Sequence, residues 1–198
     1  MLGMVAAAVG IDRTDEKQHR TLSDGLGYAV RVDAVGRSLA DYHTVQAGQG
    51  RAATRARTRR MELENPTATL LTKREYRTDA LYTVVLWERS GSTWPLAVIE
   101  AALLQPIWTL YVGRKACPLG LPLDPRIIEA DDLPGALAQR PALRPEIADL
   151  LPLRLDAKPA LFCDADAPGV EARTITSRRD LYARPGVYRE RQEKELSL

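Results

Sequence analysis

An α+β fold is predicted by three observations. Apolar Tyr28, Val30 and Val32 alternate with small or polar neighbours in Tyr28-Ala-Val-Arg-Val-Asp33. A β-branched and aromatic run, Ala80-Leu-Tyr-Thr-Val-Val-Leu-Trp87, reads as a central strand. A run apolar all round precedes the first, and apolar residues close to helical spacing follow the second. With 198 residues and 45% hydrophobic composition, the chain can form one compact domain, or one domain with a small appendage.

In chain order, Leu2 to Val9 is apolar all round and rich in small residues, which suits a buried helix stopped by Gly10. Asp12 to Arg20 reads as a polar connection, and Leu22 to Leu26 as a helical turn entering the half-buried strand at Tyr28. Ser90-Gly91-Ser92 breaks the strand that ends at Trp87. Pro95 suits the first turn of a helix, Leu96, Ile99, Ala102 and Leu103 carry it to Gln105, and Pro106 ends it. Trp87 and Trp94 read as core and edge packing. Ile107 to Val112 alternates loosely and is expected as a last short strand.

Beyond Gly120, prolines at 122, 125, 134, 141, 145, 152, 159 and 168 cut the pattern into short pieces. The tail, 120–198, is read as a small β-rich extension, not a second large core. A short helix is expected near Pro134, strands at Ala160 to Cys163 and Val170 to Thr176, and a charged, frayed end from Arg189.

Charge is unevenly distributed. The net charge is +2, yet residues 1–78 hold 13 basic and 9 acidic side chains, whereas 120–198 hold 12 basic and 14 acidic ones. The excess concentrates on a weakly patterned arm, 44–78, that carries Arg51, Arg55, Arg57, Arg59, Arg60, Lys73, Arg74 and Arg77. Between Tyr42 and Met61 there is no acidic residue, so the charge is not cancelled within that window. Arginine binds phosphate bidentately and stacks on bases, which lysine cannot do. The pattern fits an arm for a phosphate backbone, or a disordered basic loop without a specific partner.

Several classes lack support. No apolar run approaches the roughly 20 residues needed to cross a bilayer. The apolar opening lacks a basic leader, so a cytoplasmic location is expected. Two histidines and two cysteines, Cys117 and Cys163, without a CxxC pair give neither a zinc site nor a disulfide framework; both cysteines read as small buried residues, and no cofactor is expected. The phosphate-binding GxxxxGK[ST] loop, HExxH and GxSxG are absent.

Helix, strand, long insertion, strand, helix, strand is the order of a ferredoxin-like (RRM-like) βαββαβ unit without its first strand. That strand lies in the middle of such a sheet, and its absence leaves backbone groups unpaired. The expectation is a chain shortened at its N-terminus or a start codon placed too late. On this reading 1–119 form the ferredoxin-like domain and 44–78 an insertion within it.

Asp41-Tyr-His-Thr-Val45, Lys73-Arg-Glu-Tyr76 running into Asp79-Ala-Leu-Tyr-Thr-Val-Val-Leu-Trp87, and Val112-Gly-Arg-Lys-Ala-Cys-Pro-Leu119 together resemble the CasD subunit family of the type I-E CRISPR Cascade complex. Leu2 to Ile11 resembles that family's first helix, and the tail matches more weakly through Thr174 to Tyr182, where Arg178-Arg179 precedes an aromatic residue. The resemblance implies a noncatalytic RNA-binding subunit that caps the 5′ handle of a CRISPR guide RNA. It implies other Cascade subunits as partners, target DNA only through the assembled complex, and no membrane. The arm would be the family's thumb, lying over the guide.

Arg74 is then the first RNA contact expected, with Arg114 and Lys115 second; Gly113 before them lets backbone amides approach a phosphate. Arg74 could instead pair with Glu75 or Glu64, and Arg114 and Lys115 could form an ordinary solvated turn. Tyr42 has two readings, a platform for a splayed base or a core residue beside Val45. His43 is expected to have a structural or RNA-contacting role; beside Tyr42 and with Lys73 available it also has the residue types for metal-independent RNA cleavage, so a ribonuclease processing precursor RNA is the alternative function. A generic module whose arm binds an acidic protein is a third.

Overall fold

Gly10 closes the first helix in the left-handed conformation (φ 79°, ψ 25°), donating its N–H to the Ala6 carbonyl. This helix, α1 (Leu2–Val9), opens the computed structural model, which describes residues 1–149, 155–156, 158–171, 175–184 and 187–197. The expected polar connection that follows is largely helical. α2 (Glu16–Gly25) begins at Asp15, whose carboxylate accepts from the Gln18 N–H at 3.0 Å. The charged sequence concealed a narrow buried edge, Leu22, Ser23 and Gly25, that docks the helix.

β1 (Leu26–Ala34) contains the anticipated strand and pairs antiparallel with β4 (Leu81–Glu88). Between them the chain leaves the sheet as β2 (Arg37–Gly48) and returns as β3 (Thr67–Thr78), a separate two-stranded ribbon. Its end carries two short helices, α3 (Gly50–Thr54) and α4 (Arg59–Leu63). The ribbon therefore starts at Arg37, seven residues before the arm anticipated from sequence.

α5 (Leu96–Leu104) forms as expected, although Pro95 is its N-cap, with extended ψ (139°). The strand expected at Ile107 to Val112 does not form; only an isolated bridge, Tyr111 to Pro118, is present. The physical reason is competition from the end of α1. The N–H groups of Ile107 and Trp108 donate to the Ala8 and Ala7 carbonyls at 3.0 and 3.2 Å, satisfying acceptors that the helix end leaves free.

In the tail, α6 (Leu133–Ala138) starts at Asp132, which caps the Gly135 N–H at 2.7 Å, and α7 (Pro145–Ala148) is a single turn. β5 (Ala160–Asp164) agrees with the expected strand and pairs with β1 across more than a hundred intervening residues. The expected strand at Val170 to Thr176 falls partly on 172–174, outside the described residues; β6 (Ile175–Arg184) begins at Ile175. The end expected to fray is β7 (Val187–Ser197), paired with both β5 and β6. Its charges are used: Arg191 pairs with Asp164 at 3.1 Å, and Lys194 donates to the Val170 carbonyl at 2.7 Å.

The main sheet runs β4-β1-β5-β7-β6, and every strand pairing described is antiparallel. The chain has a mixed α/β fold. One core layer, with Val5, Ala6, Leu22, Leu26 and Ile99, lies under α1, α2 and α5; the other, with Ala29, Leu133, Leu137, Leu161 and Cys163, lies under α6. Trp87 packs on the second and Trp94 on the first. Trp87 lies across Gly27, where any Cβ would meet the indole ring. Cys163 is fully buried, which pushes its thiol pKa up, while Cys117 is half-buried.

β4 is the departure from the expected central strand. It stands at the edge of the sheet, with Tyr82 and Val84 exposed on it. The Arg89 N–H donates to the Gly25 carbonyl at 2.8 Å, which sets the phase of the β1–β4 ladder. Thr83, Val85 and Trp87 thereby direct their backbone groups to β1, and Tyr82, Val84, Leu86 and Glu88 direct theirs outward.

Candidate nucleic-acid interface

The ribbon register decides which candidate residues act together. Cross-strand partners share a face, and residues one apart lie on opposite faces. Asp41 pairs with Arg74, His43 with Thr72 and Leu39 with Tyr76, so these six form one face. Tyr42 pairs with Lys73 and Ser38 with Arg77 on the other. His43 is thus separated from Tyr42 and Lys73 by the thickness of the ribbon. The three groups that RNA cleavage would bring to one scissile bond are not gathered.

On the first face the His43 ring contacts the Asp41 carboxylate through Nε2 and Oδ2. Arg74 is exposed and forms no ion pair with the described residues. Its anticipated surface partners are taken elsewhere: Glu75 pairs with Lys73 at 3.2 Å, and Glu64 with Arg60 at 3.8 Å. Tyr76 holds the Arg114 guanidinium, 5.0 Å from its ring centroid, which brings the Val112 to Pro118 loop to the ribbon. Lys115 is exposed on the same loop. Sequence reasoning quoted Tyr76 within a motif but missed it as a site residue. The available signal was the spacing of Arg74 and Tyr76, which places both on one face of a strand.

On the other face, Tyr42 is 64% exposed, so it does not close the core beside Val45, itself exposed. Arg77 donates to the Val35 carbonyl at 3.4 Å, at the root of the ribbon. Exposed apolar side chains line both faces, including Leu39, Val45, Leu70 and Leu71.

The tip corrects the charge argument. Its arginines are divided by two glutamates just beyond the acid-free window. Arg59 pairs with Glu62 at 2.8 Å and donates to the Gln46 carbonyl. Glu62 also accepts from the Gly48 N–H at 3.0 Å, and these two bonds hold its pKa below the usual glutamate value. Arg60 pairs with Glu64. Arg51, Arg55 and Arg57 are exposed and make no ion pair with the described residues, so they are the tip's uncommitted cations.

A second polar feature lies on the body. A cleft of about 430 Å³ is lined by Tyr28, Arg89, Asp164, Asp166, Arg189 and Arg191, among others. Arg89 pairs with Asp164 at 2.9 Å and with Asp166 at 2.6 Å, and donates to the Ser23 and Leu26 carbonyls. Arg89 pulls the Asp166 pKa down, while burial pushes that of Asp164 up. Arg191 lies 4.8 Å from the Tyr28 ring centroid and pairs with Glu193 as well as Asp164. The cleft's arginines are committed to ion pairs that tie β7 and β5 to the start of β1.

Among the described residues no helix is long and apolar enough to cross a membrane, and no group of three or more His, Cys, Asp or Glu could hold a metal ion.

The chain matches the family model described as CRISPR-associated protein (Cas_Cas5) over residues 1–191. It is 35% identical over 145 residues to the CRISPR system Cascade subunit CasD of Escherichia coli (strain K12), a match covering 69% of this chain and 61% of that relative. The chain therefore spans less than two thirds of that relative's length. A solved chain described as a CRISPR RNA-guided surveillance complex aligns with TM-score 0.57 and 26% identity, covering 99% of this chain and 76% of its own. Another, described as a crystal structure of Cas protein, aligns with TM-score 0.56 and 24% identity, covering 100% and 77%; at that identity it shows the fold alone. With nearly its whole length matched by the family model, and 35% identity to CasD over 69% of its residues, this chain belongs to the CRISPR-associated Cas5 family.

Proposed function

We propose that this protein is a noncatalytic RNA-binding subunit of a type I-E Cascade complex, acting in the cytoplasm, where it caps the 5′ handle of the guide RNA. The observation that carries the reading is the projecting ribbon with its tip. It holds Arg51, Arg55 and Arg57 at the end and Arg74 on one face, all exposed and uncommitted, on a chain whose relative is a Cascade subunit. Phosphates would be met by these arginines and by Lys115, with Arg114 at the ribbon's root. Exposed apolar side chains of the ribbon would dock neighbouring subunits. Target DNA would be met only through the assembled complex. The finer fold reading is a ferredoxin-like unit, with the ribbon as its thumb and 120–198 as an extension.

The test mixes purified protein with guide RNA bearing its 5′ handle and with repeat precursor RNA, in EDTA. The expected result is saturable binding that prefers the handle, with both RNAs intact. Cleavage at one site would replace this reading with the processing nuclease. Equal affinity for unrelated polyanions would replace it with a generic basic module.

A further inference from the structure

We propose that the Arg74 face of the ribbon carries a stacking site for one unpaired nucleobase, built from Tyr76 and Arg114, with Arg74 taking the adjoining phosphate. The inference rests on the RNA-binding reading and adds to it a defined nucleotide subsite.

Arg74 and Tyr76 stand two residues apart on β3, hence on one face and about 7 Å apart along the strand. That is the reach from a nucleotide's phosphate to its base. The Arg114 guanidinium sits 5.0 Å from the Tyr76 ring centroid, and Arg114 is exposed. A planar guanidinium held on a tyrosine offers its outer surface to a base, as arginine planes do in single-stranded RNA recognition.

Arg114 is placed before any ligand arrives. Gly113 takes φ 75°, which the tight turn requires, and Arg114 N–H donates to the Val112 carbonyl at 2.9 Å. Cys117 N–H donates to the Arg114 carbonyl at 2.8 Å, and Val112 N–H to the Cys117 carbonyl at 2.9 Å. A loop pinned at both ends loses little freedom on binding.

The arrangement is more than a tether between loop and ribbon. Arg114 forms no ion pair with the described residues, so its charge remains available to an anion. Asp41, the carboxylate on this face of the ribbon, is engaged by His43. Tyr42 differs: it lies on the opposite face, where neighbouring Lys73 is paired with Glu75.

The test uses the full 198-residue chain and short single-stranded RNAs, each with one 2-aminopurine, whose fluorescence falls on stacking. The wild type should quench the probe at one position. Tyr76→Leu and Arg114→Met should lose that quenching and bind about ten-fold more weakly. Arg114→Lys, which keeps the charge without the plane, should retain the salt dependence of binding and still lose the quenching. RNA binding with no quenching at any position, or with quenching that survives both Tyr76→Leu and Arg114→Met, overturns the stacking site and leaves the RNA-binding reading intact. Failure of the wild type to bind RNA overturns both.

Discussion

Asp41 stands directly across the β2–β3 ladder from Arg74, yet its carboxylate is engaged by His43 and not by that arginine. The negative charge still lowers the potential beside Arg74, at the cost of RNA affinity. Asp41→Asn should raise guide RNA affinity about two- to five-fold, the scale of an exposed charge interaction. Arg74→Ala should lower it roughly ten-fold without changing the unfolding midpoint, as expected for a lost charge-assisted phosphate contact. Filter binding and thermal unfolding on the same preparations check both.

The tip's arginines should separate by salt dependence. Alanine at Arg51, Arg55 or Arg57 should each reduce the slope of log affinity against log salt by about 1, because an uncommitted cation releases counterions from a phosphate. Alanine at Arg59 or Arg60 should change the slope less, since Glu62 and Glu64 already neutralise them. Equal slopes across all five variants would refute this division.

Closure of the tip should fail in acid. The folded-state pKa of Glu62 is lowered by Arg59 first and by the Gly48 amide second. A depressed carboxylate contributes stability that is fully present above its unfolded value and is lost as pH falls through the folded one. The Gly48 amide resonance should therefore titrate with a midpoint below the ordinary glutamate value. Arg59→Ala should move that midpoint up.

Arg89 should matter to stability more than any arginine of the ribbon. It bridges buried Asp164, exposed Asp166, and the carbonyls of Ser23 and of Leu26, the first residue of β1. Arg89→Met should cost about 3 kcal/mol in urea unfolding, the lower end for breaking a buried pair, because Arg191 still holds Asp164.

Much of the local structure was legible in the residues. Gly10 and Pro106 punctuate α1 and α5, and the alternation at Tyr28 to Asp33 marks β1. α2 was hidden because its polar sequence buries only a thin edge, and its start depends on Asp15 capping Gln18. The edge position of β4 could not be read, since composition reports apolar content and not which ladder is formed. β7 looked frayed because its charges find partners in distant elements, such as Asp164 and Val170. For the site, arginine content identified the arm. Register separated His43 from Lys73, and the Arg114–Tyr76 contact joins segments too far apart in the chain for spacing to connect.

The most direct measurement of the central claim is copurification of the tagged chain from cells expressing neighbouring Cascade subunits and a CRISPR array, with sequencing of the bound RNA. The account predicts partner subunits together with guide RNA whose 5′ handle is intact, and loss of both in a variant with Arg51, Arg55, Arg57 and Arg74 all replaced by alanine. Recovery of a folded protein with neither guide RNA nor partner subunits would contradict it.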